Sequence, residues 1–350
     1  MTTERSGPAN LNSAISGNSG RDAGLKAWRK GVFDDQEESI GAAYSPAPQF
    51  DVQGAGGLGG RAGTAYCITS VSLKAFGDLA ITASAARRLS QESQERFAIL
   101  VGTHLIELAR LLNPGCRLEL LKHTDVSVPA IFDLHLRGVV AGLMSVFELK
   151  NALKSRSTLG RSCLLFDRIS WRERLIIGNN TAEALPPDAP NIYLAYEKFL
   201  MAYFELVDIK VAKPYTGRNV GIFPGSRIHT KNIPNTLIEK LASQCLSSGF
   251  NPVVFSLDGE WSYNSSFINT ICIPKTFASL IDALHSTDLV ISADSLPAHL
   301  AEYYGLPVYV VSPSRNEYWL PRSAFEMGFW GLFEEMDMTR RSLGKFLANV

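Results

Sequence analysis

From residue 220 to residue 311 the chain alternates short β-prone runs with amphipathic stretches, and this alternation constrains its fold more than any other feature. Strands are expected at 220–223, 252–257, 270–273, 289–292 and 308–311, and helices at 235–248, 277–286 and 297–304. Buried strands joined through helices form right-handed crossovers, which lay the strands parallel in one sheet with helices on both faces. The stretch from 65 to 206 repeats the pattern more loosely. It offers strands at 65–71, 97–101, 118–121 and 130–134, helices at 79–90 and 104–112, and an amphipathic helix at 191–206. A composition break at 210–218 separates the two series. The expectation is an α/β protein of two Rossmann-like domains, residues 63–212 and 213–350, after a separate segment 1–62.

That leading segment is rich in Ser, Gly, Ala, Asn and Thr and ends in Gln53-Gly54-Ala55-Gly56-Gly57-Leu58-Gly59-Gly60. It holds too little apolar side chain to offset the entropy of ordering, so it reads as a disordered tail with one short helix near 25–32. No strand precedes the glycine run, which argues for a linker rather than a dinucleotide fingerprint.

Elsewhere composition excludes several classes of function. With 34 basic and 34 acidic residues, long-range attraction to nucleic acid or anionic lipid is not expected. Five scattered cysteines without a CxxC pair argue for a reducing compartment and against a disulfide framework or structural zinc. The most apolar stretch, 126–149, is interrupted by Asp133, His135, Arg137 and Glu148, and no secretory signal is visible. A soluble cytoplasmic protein with at most peripheral contact to the inner membrane is expected.

Three loops carry the chemistry. Phe223-Pro224-Gly225-Ser226-Arg227-Ile228-His229-Thr230-Lys231-Asn232-Ile233-Pro234 follows the first strand of the second series and opens a helix. Two cations at a helix N-terminus suit a phosphate or diphosphate; the alternative is a solvated basic loop. Ala293-Asp294-Ser295-Leu296-Pro297-Ala298-His299 follows a buried strand, and here Asp294 either caps the helix or binds ligand, while His299 is either a core residue or a binding group. Phe76-Gly77-Asp78 is read as a sharp turn, allowed by Gly77, that places Asp78 at a helix start, as a cap or as a base.

Together these loops resemble glycosyltransferase family 9, the ADP-heptose:lipopolysaccharide heptosyltransferases. The resemblance rests on Phe76-Gly77-Asp78-Leu79, on Phe223-Pro224-Gly225-Ser226 through Lys231-Asn232-Ile233-Pro234, and on the run from Ala278 to Pro321 with Asp294, His299-Leu300-Ala301 and Gly305-Leu306-Pro307-Val308. The family's Asp-Thr-Gly is Asp294-Ser295-Leu296 here, and its members lack a tail like 1–62. The resemblance implies a GT-B fold and inverting, metal-independent transfer from a nucleotide-sugar donor such as ADP-heptose, without a cofactor, to a saccharide, lipid-linked or protein acceptor.

It implies Asp78 as general base and Lys231, with Arg227, as the groups that neutralise the leaving diphosphate. Gly225, Ser226, Asp294, Ser295 and His299 would bind the donor, and Gly259 and Glu260 the nucleotide ribose. Gly77, His135 and Arg137 fall on the acceptor side, although Asp133, His135 and Arg137 fit structural ion pairs equally well. The competing expectations are a non-catalytic GT-B nucleotide-sugar binder or secreted effector acting through its surface or tail, and a sugar-nucleotide epimerase.

Overall fold

The computed structural model describes residues 67–73, 75–120, 147, 150–151, 162–169, 173–174, 177–178, 180–207, 217–258 and 268–349. All of them fall within one unit of the chain, Val52–Val350. The expected tail, its short helix and the strand expected at 130–134 lie outside the described residues.

Two parallel sheets organise the chain, and each forms around central strands that are apolar on both faces. The first takes β1 (Cys67–Ser72), β2 (Phe97–Val101), β3 (Arg117–Leu120), β4 (Ser162–Phe166) and β5 (Ala182–Ala184) in the order β3-β2-β1-β4-β5. Every residue of β2 is buried, which only a strand covered by helices on both sides achieves. The register runs Ile68↔Phe97 through Ser72↔Val101 on one side of β1 and Cys67↔Ser162 through Ser70↔Leu165 on the other.

The second sheet takes β6 (Asn219–Phe223), β7 (Asn251–Leu257), β8 (Asn269–Ile273), β9 (Leu289–Ala293), β10 (Val308–Ser312) and β11 (Trp330–Leu332) in the order β11-β10-β9-β6-β7-β8. Here β9 and β10 are buried throughout. In both sheets the chain builds outward to one edge, returns to the middle and builds to the other edge. Each reversal leaves a crevice beyond the carboxyl ends of the central strands, between β1 and β4 in the first sheet and between β6 and β9 in the second.

The helices among the described residues are α1 (Phe76–Arg87), α2 (Gln91–Glu95), α3 (Ile106–Leu112), α4 (Ile192–Met201), α5 (Asn235–Ser247), α6 (Phe277–His285), α7 (Leu296–Tyr304), α8 (Arg322–Met327) and α9 (Met336–Ala348). Two boundaries correct the sequence reading. Helix α1 begins at Phe76 and not at 79, so Phe76-Gly77-Asp78 is its first turn and not a turn before it. Helix α4 ends at Met201 and not at 206, because Leu206 pairs with Leu89 in an antiparallel bridge that draws the chain away from the helix axis. Strands β4, β5 and β11 and helices α2, α8 and α9 were not read from the sequence.

The two lobes share one apolar cluster. Helix α1 of the first lobe packs on α7 of the second. Arg87 Nη1 donates to the Tyr303 carbonyl at 2.7 Å with its guanidinium over the Tyr303 ring. Tyr303 in turn donates its hydroxyl to the Leu112 carbonyl. Among the described residues, no helix is long and apolar enough to cross a membrane.

Candidate functional site

At the reversal of the second sheet the loops after β6 and β9 meet. The first loop folds back on itself through Ser226 N–H donating to Asn232 Oδ1 at 2.7 Å and Ile233 N–H donating to the Pro224 carbonyl at 3.0 Å. A single 3-10 turn, His229–Lys231, ends in Lys231. The Lys231 Nζ donates to Asp294 Oδ2 at 2.9 Å, with the Asp294 side chain 8% exposed. Ser295 Oγ donates to the Gly225 carbonyl at 3.1 Å and locks the two loops together.

Helix α7 takes Ser295 as its N-cap residue without a side-chain cap bond. The Asp294 carboxylate therefore pairs with Lys231 instead of capping. Leu296 occupies the first helical position at no backbone cost, since Asn113 is the only non-glycine residue with positive φ among the described residues, and its side chain packs against the core. Gly225 likewise has no left-handed φ, so the loop does not need glycine to turn; open space surrounds the position a Cβ would take.

At the reversal of the first sheet stands the first turn of α1. Its N-cap, Ala75, offers no side-chain acceptor, and Asp78 brings the only carboxylate of that turn to the positive helix end. Thr82 Oγ1 donates to the Asp78 carbonyl at 2.9 Å and shares a hydrogen bond with the Tyr196 hydroxyl at 2.8 Å. Burial pushes the Tyr196 phenol up to about 12, and the Asp167 and Asp78 carboxylates push the same way. These groups, with Ser72 and Glu173, line a recess to which Trp319 of the second lobe also contributes. The Asp78 carboxylate also acts on Arg227 from the second-lobe loop. Crowding by protein lowers the guanidinium pKa there, and Asp78 opposes the shift.

His299 joins the two reversals. It is buried, its Nδ1 lies 3.0 Å from the Tyr193 hydroxyl on α4, and its Cδ2 is 3.1 Å from where a Cβ on Gly77 would stand. Gly77 is thus small because an imidazole from the other lobe passes over it, and not because the backbone turns sharply there. Burial pushes the His299 pKa down to about 4; Asp294 works against that shift and Lys231 adds to it. The imidazole is neutral at pH 7.

The structure therefore brings together Gly77, Asp78, Gly225, Ser226, Arg227, Lys231, Asp294, Ser295 and His299. His135, Arg137, Gly259 and Glu260 lie outside the described residues. Sequence reading missed Tyr193, Tyr196, Ser72, Asp167 and Glu173. A signal existed for one of them: Asp167 directly follows the apolar run Cys163-Leu164-Leu165-Phe166, as expected of a residue at a strand's carboxyl end.

No protein-family model and no curated protein matches the sequence. Solved structures do match the fold. A glycosyl transferase family 9 protein from Veillonella parvula aligns with TM-score 0.53 and 12% identity over 82% of this chain and 98% of its own. The E. coli heptosyltransferase WaaC with ADP aligns with TM-score 0.53 and 10% identity over 81% and 99%. The same enzyme with ADP-2-deoxy-2-fluoro heptose gives 0.52 and 11% over 81% and 99%. At these identities the likeness is one of fold, and that fold is GT-B.

Proposed function

We propose that the chain transfers a sugar from a nucleotide diphosphate donor to a hydroxyl acceptor, with inversion and without a metal. The carrying observation is the pairing of the two sheet reversals. Asp78 opens one, Lys231 and Asp294 occupy the other, and the Gly77–His299 contact holds them in one constellation. The ADP and ADP-sugar analogue bound by WaaC point to an ADP-sugar donor, heptose-like, seated on the second lobe.

In this reading Lys231 and Arg227 neutralise the charge that builds on the departing diphosphate, aided by the positive end of α7. The donor enters by taking Lys231 from Asp294, which frees that carboxylate for the hydroxyls of the sugar. Gly225, Ser226 and Ser295 form the backbone cradle beside the phosphates, and the open space at Gly225 suits close approach of an anion. Buried and already paired with Tyr193, His299 positions the first turn of α1 and does not touch the donor. Asp78 accepts the proton of the attacking hydroxyl, a step typically worth about 10²–10⁴-fold in rate.

The test is release of ADP from ADP-heptose, with binding of ADP followed separately. Asp78→Asn is expected to keep ADP binding and to lose turnover by about 10²-fold or more, while Lys231→Ala loses both. Full turnover by folded Asp78→Asn would remove the base assignment. Tight ADP binding by wild type without transfer to any acceptor would favour the non-catalytic binder.

A further inference from the structure

We infer that Ser72 binds the acceptor: its Oγ makes a hydrogen bond to an acceptor oxygen held beside Asp78 in the first-lobe recess. This assignment deepens the transferase reading and rests on it. Its ground is a count of protons. A hydroxyl has one proton to give and lone pairs to receive. Among the described lining residues the hydroxyls are those of Ser72, Thr82 and Tyr196, and two of the three are spent inside the protein.

Thr82 gives its proton to the Asp78 carbonyl, which can only accept, at 2.9 Å. The 2.8 Å contact between Thr82 Oγ1 and the Tyr196 hydroxyl therefore takes its proton from Tyr196. That leaves Ser70 Oγ, 3.4 Å from the Tyr196 oxygen, as the donor at the far end. The result is a one-way chain from Ser70 on β1 through Tyr196 on α4 to Thr82 and the first turn of α1. It leaves Tyr196 no proton for a ligand. Burial pushes the phenol up to about 12, so the proton stays in the chain at neutral pH.

The carboxylates of the wall are engaged as well. Asp167 accepts from the Arg168 N–H at 2.9 Å, Asp78 and Glu173 each have a further interaction within the protein, and Asp78 acts on Arg227. Ser72 differs from all of them. It is 3% exposed, lines the same recess, and its Oγ has no hydrogen-bond partner. Buried hydroxyls are ordinarily satisfied, and one left open costs stability in the free chain. As the last residue of β1, Ser72 also stands at the carboxyl end of a central strand, beside the β1–β4 reversal where open α/β sheets take ligands. A serine hydroxyl donates to hydroxyl, phosphate and carboxylate oxygens alike, so this contact fixes where the acceptor lies and sets no condition on its charge or size.

The experiment follows ADP release from ADP-heptose by the full chain. Acceptors are water alone and the methyl pyranosides of the gluco, galacto and manno series, with and without a 6-phosphate, and calorimetry reads ADP binding. Ser72→Ala is expected to bind ADP as wild type does. It should melt about 1–3 °C higher because the open hydroxyl is gone. With each acceptor that wild type uses it should lose about two- to tenfold, read as kcat/KM for a sugar and as rate for water. Ser72→Thr restores a hydroxyl and should recover most of that loss. Wild-type values with every such acceptor, or a thermal midpoint below that of wild type, overturn the assignment, because the hydroxyl then serves a bound water or the fold alone. A wild type that releases no ADP with any acceptor overturns the transferase reading and this assignment with it, so turnover by wild type tells the two failures apart.

Discussion

His299 illustrates how one buried side chain serves both lobes and sets a pH limit on them. Its pKa of about 4 lies below the ordinary value of 6.5 because burial disfavours the imidazolium. The unfolded chain therefore binds the proton first, and stability falls as pH drops from about 6.5 towards 4. At pH 5 the loss from this group is about 2 kcal/mol by linkage. Urea unfolding of wild type and His299→Gln at pH 7 and pH 5 checks this, and the variant should show a drop smaller by about that amount. The same ring defines the cost of a methyl group opposite it. Gly77→Ala puts a Cβ 3.1 Å from His299 Cδ2, a contact that the ring relieves only by giving way by a few tenths of an ångström. Because the buried ring is tied to Tyr193, a net loss of up to about 1–3 kcal/mol, the range for overpacking, is expected. In a His299→Ala background the same substitution should cost under about 0.5 kcal/mol, because the atom it strikes is gone. A double-mutant cycle measures the difference, and additive effects would show that the two residues do not meet.

At the scale of elements, α4 is the strap between the lobes. Tyr196 faces the first lobe through Ser70 and Thr82, while Tyr193 reaches His299 in the second. Glu197 pairs with Arg88 of the first lobe and Arg322 of the second, at 2.9 and 2.8 Å. Asn191 does most. Fully buried, it accepts from Tyr193 N–H to cap the helix and donates to the Glu317 and Leu320 carbonyls. Asn191→Ala removes the cap and leaves buried groups unpaired, an expected loss of about 2–4 kcal/mol by chemical denaturation.

This strap also marks where the sequence stops being informative. The apolar runs of the second sheet and the Pro224–Pro234 loop are legible because periodicity and turn chemistry are local. The amphipathic 191–206 stretch announces a helix, but nothing local says that its two faces serve different lobes. The short apolar run 163–166 marks Asp167 as a residue at a strand end, but no short-range pattern says that this strand pairs with β1, so the recess that Asp167 helps to wall is not legible from sequence. Gly77 was read as a turn residue because a glycine's sequence context cannot reveal a ring arriving from more than two hundred residues away. Local sequence leaves Asp294 open between a helix cap and a ligand group for the same reason, since its partner Lys231 stands on another loop.

For the molecule as a whole, the question is whether two Rossmann-like lobes behave as two bodies or as one. Interdomain surfaces within a chain usually resemble transient interfaces, and independent melting is then the rule. Here the apolar cluster runs unbroken from the first lobe to the second. Helices α1 and α7 contribute Ile81 and Leu300, each at most 1% exposed, and Arg87 and Tyr303 exchange contacts across the same seam. A shared core makes the free energy of one lobe depend on the other, so scanning calorimetry should show one transition whose calorimetric and van't Hoff enthalpies agree. The nucleotide reading adds a second consequence. A ligand that binds only the folded state at a hundred times its dissociation constant adds about 2.7 kcal/mol, and in a coupled molecule that gain is delivered to both lobes. ADP should therefore move the entire transition upward by several degrees. Two transitions, of which ADP shifts only one, would mean that the strap and the α1–α7 seam do not couple the lobes, and the alignment of Asp78 with Lys231 would then depend on ligand rather than on the fold.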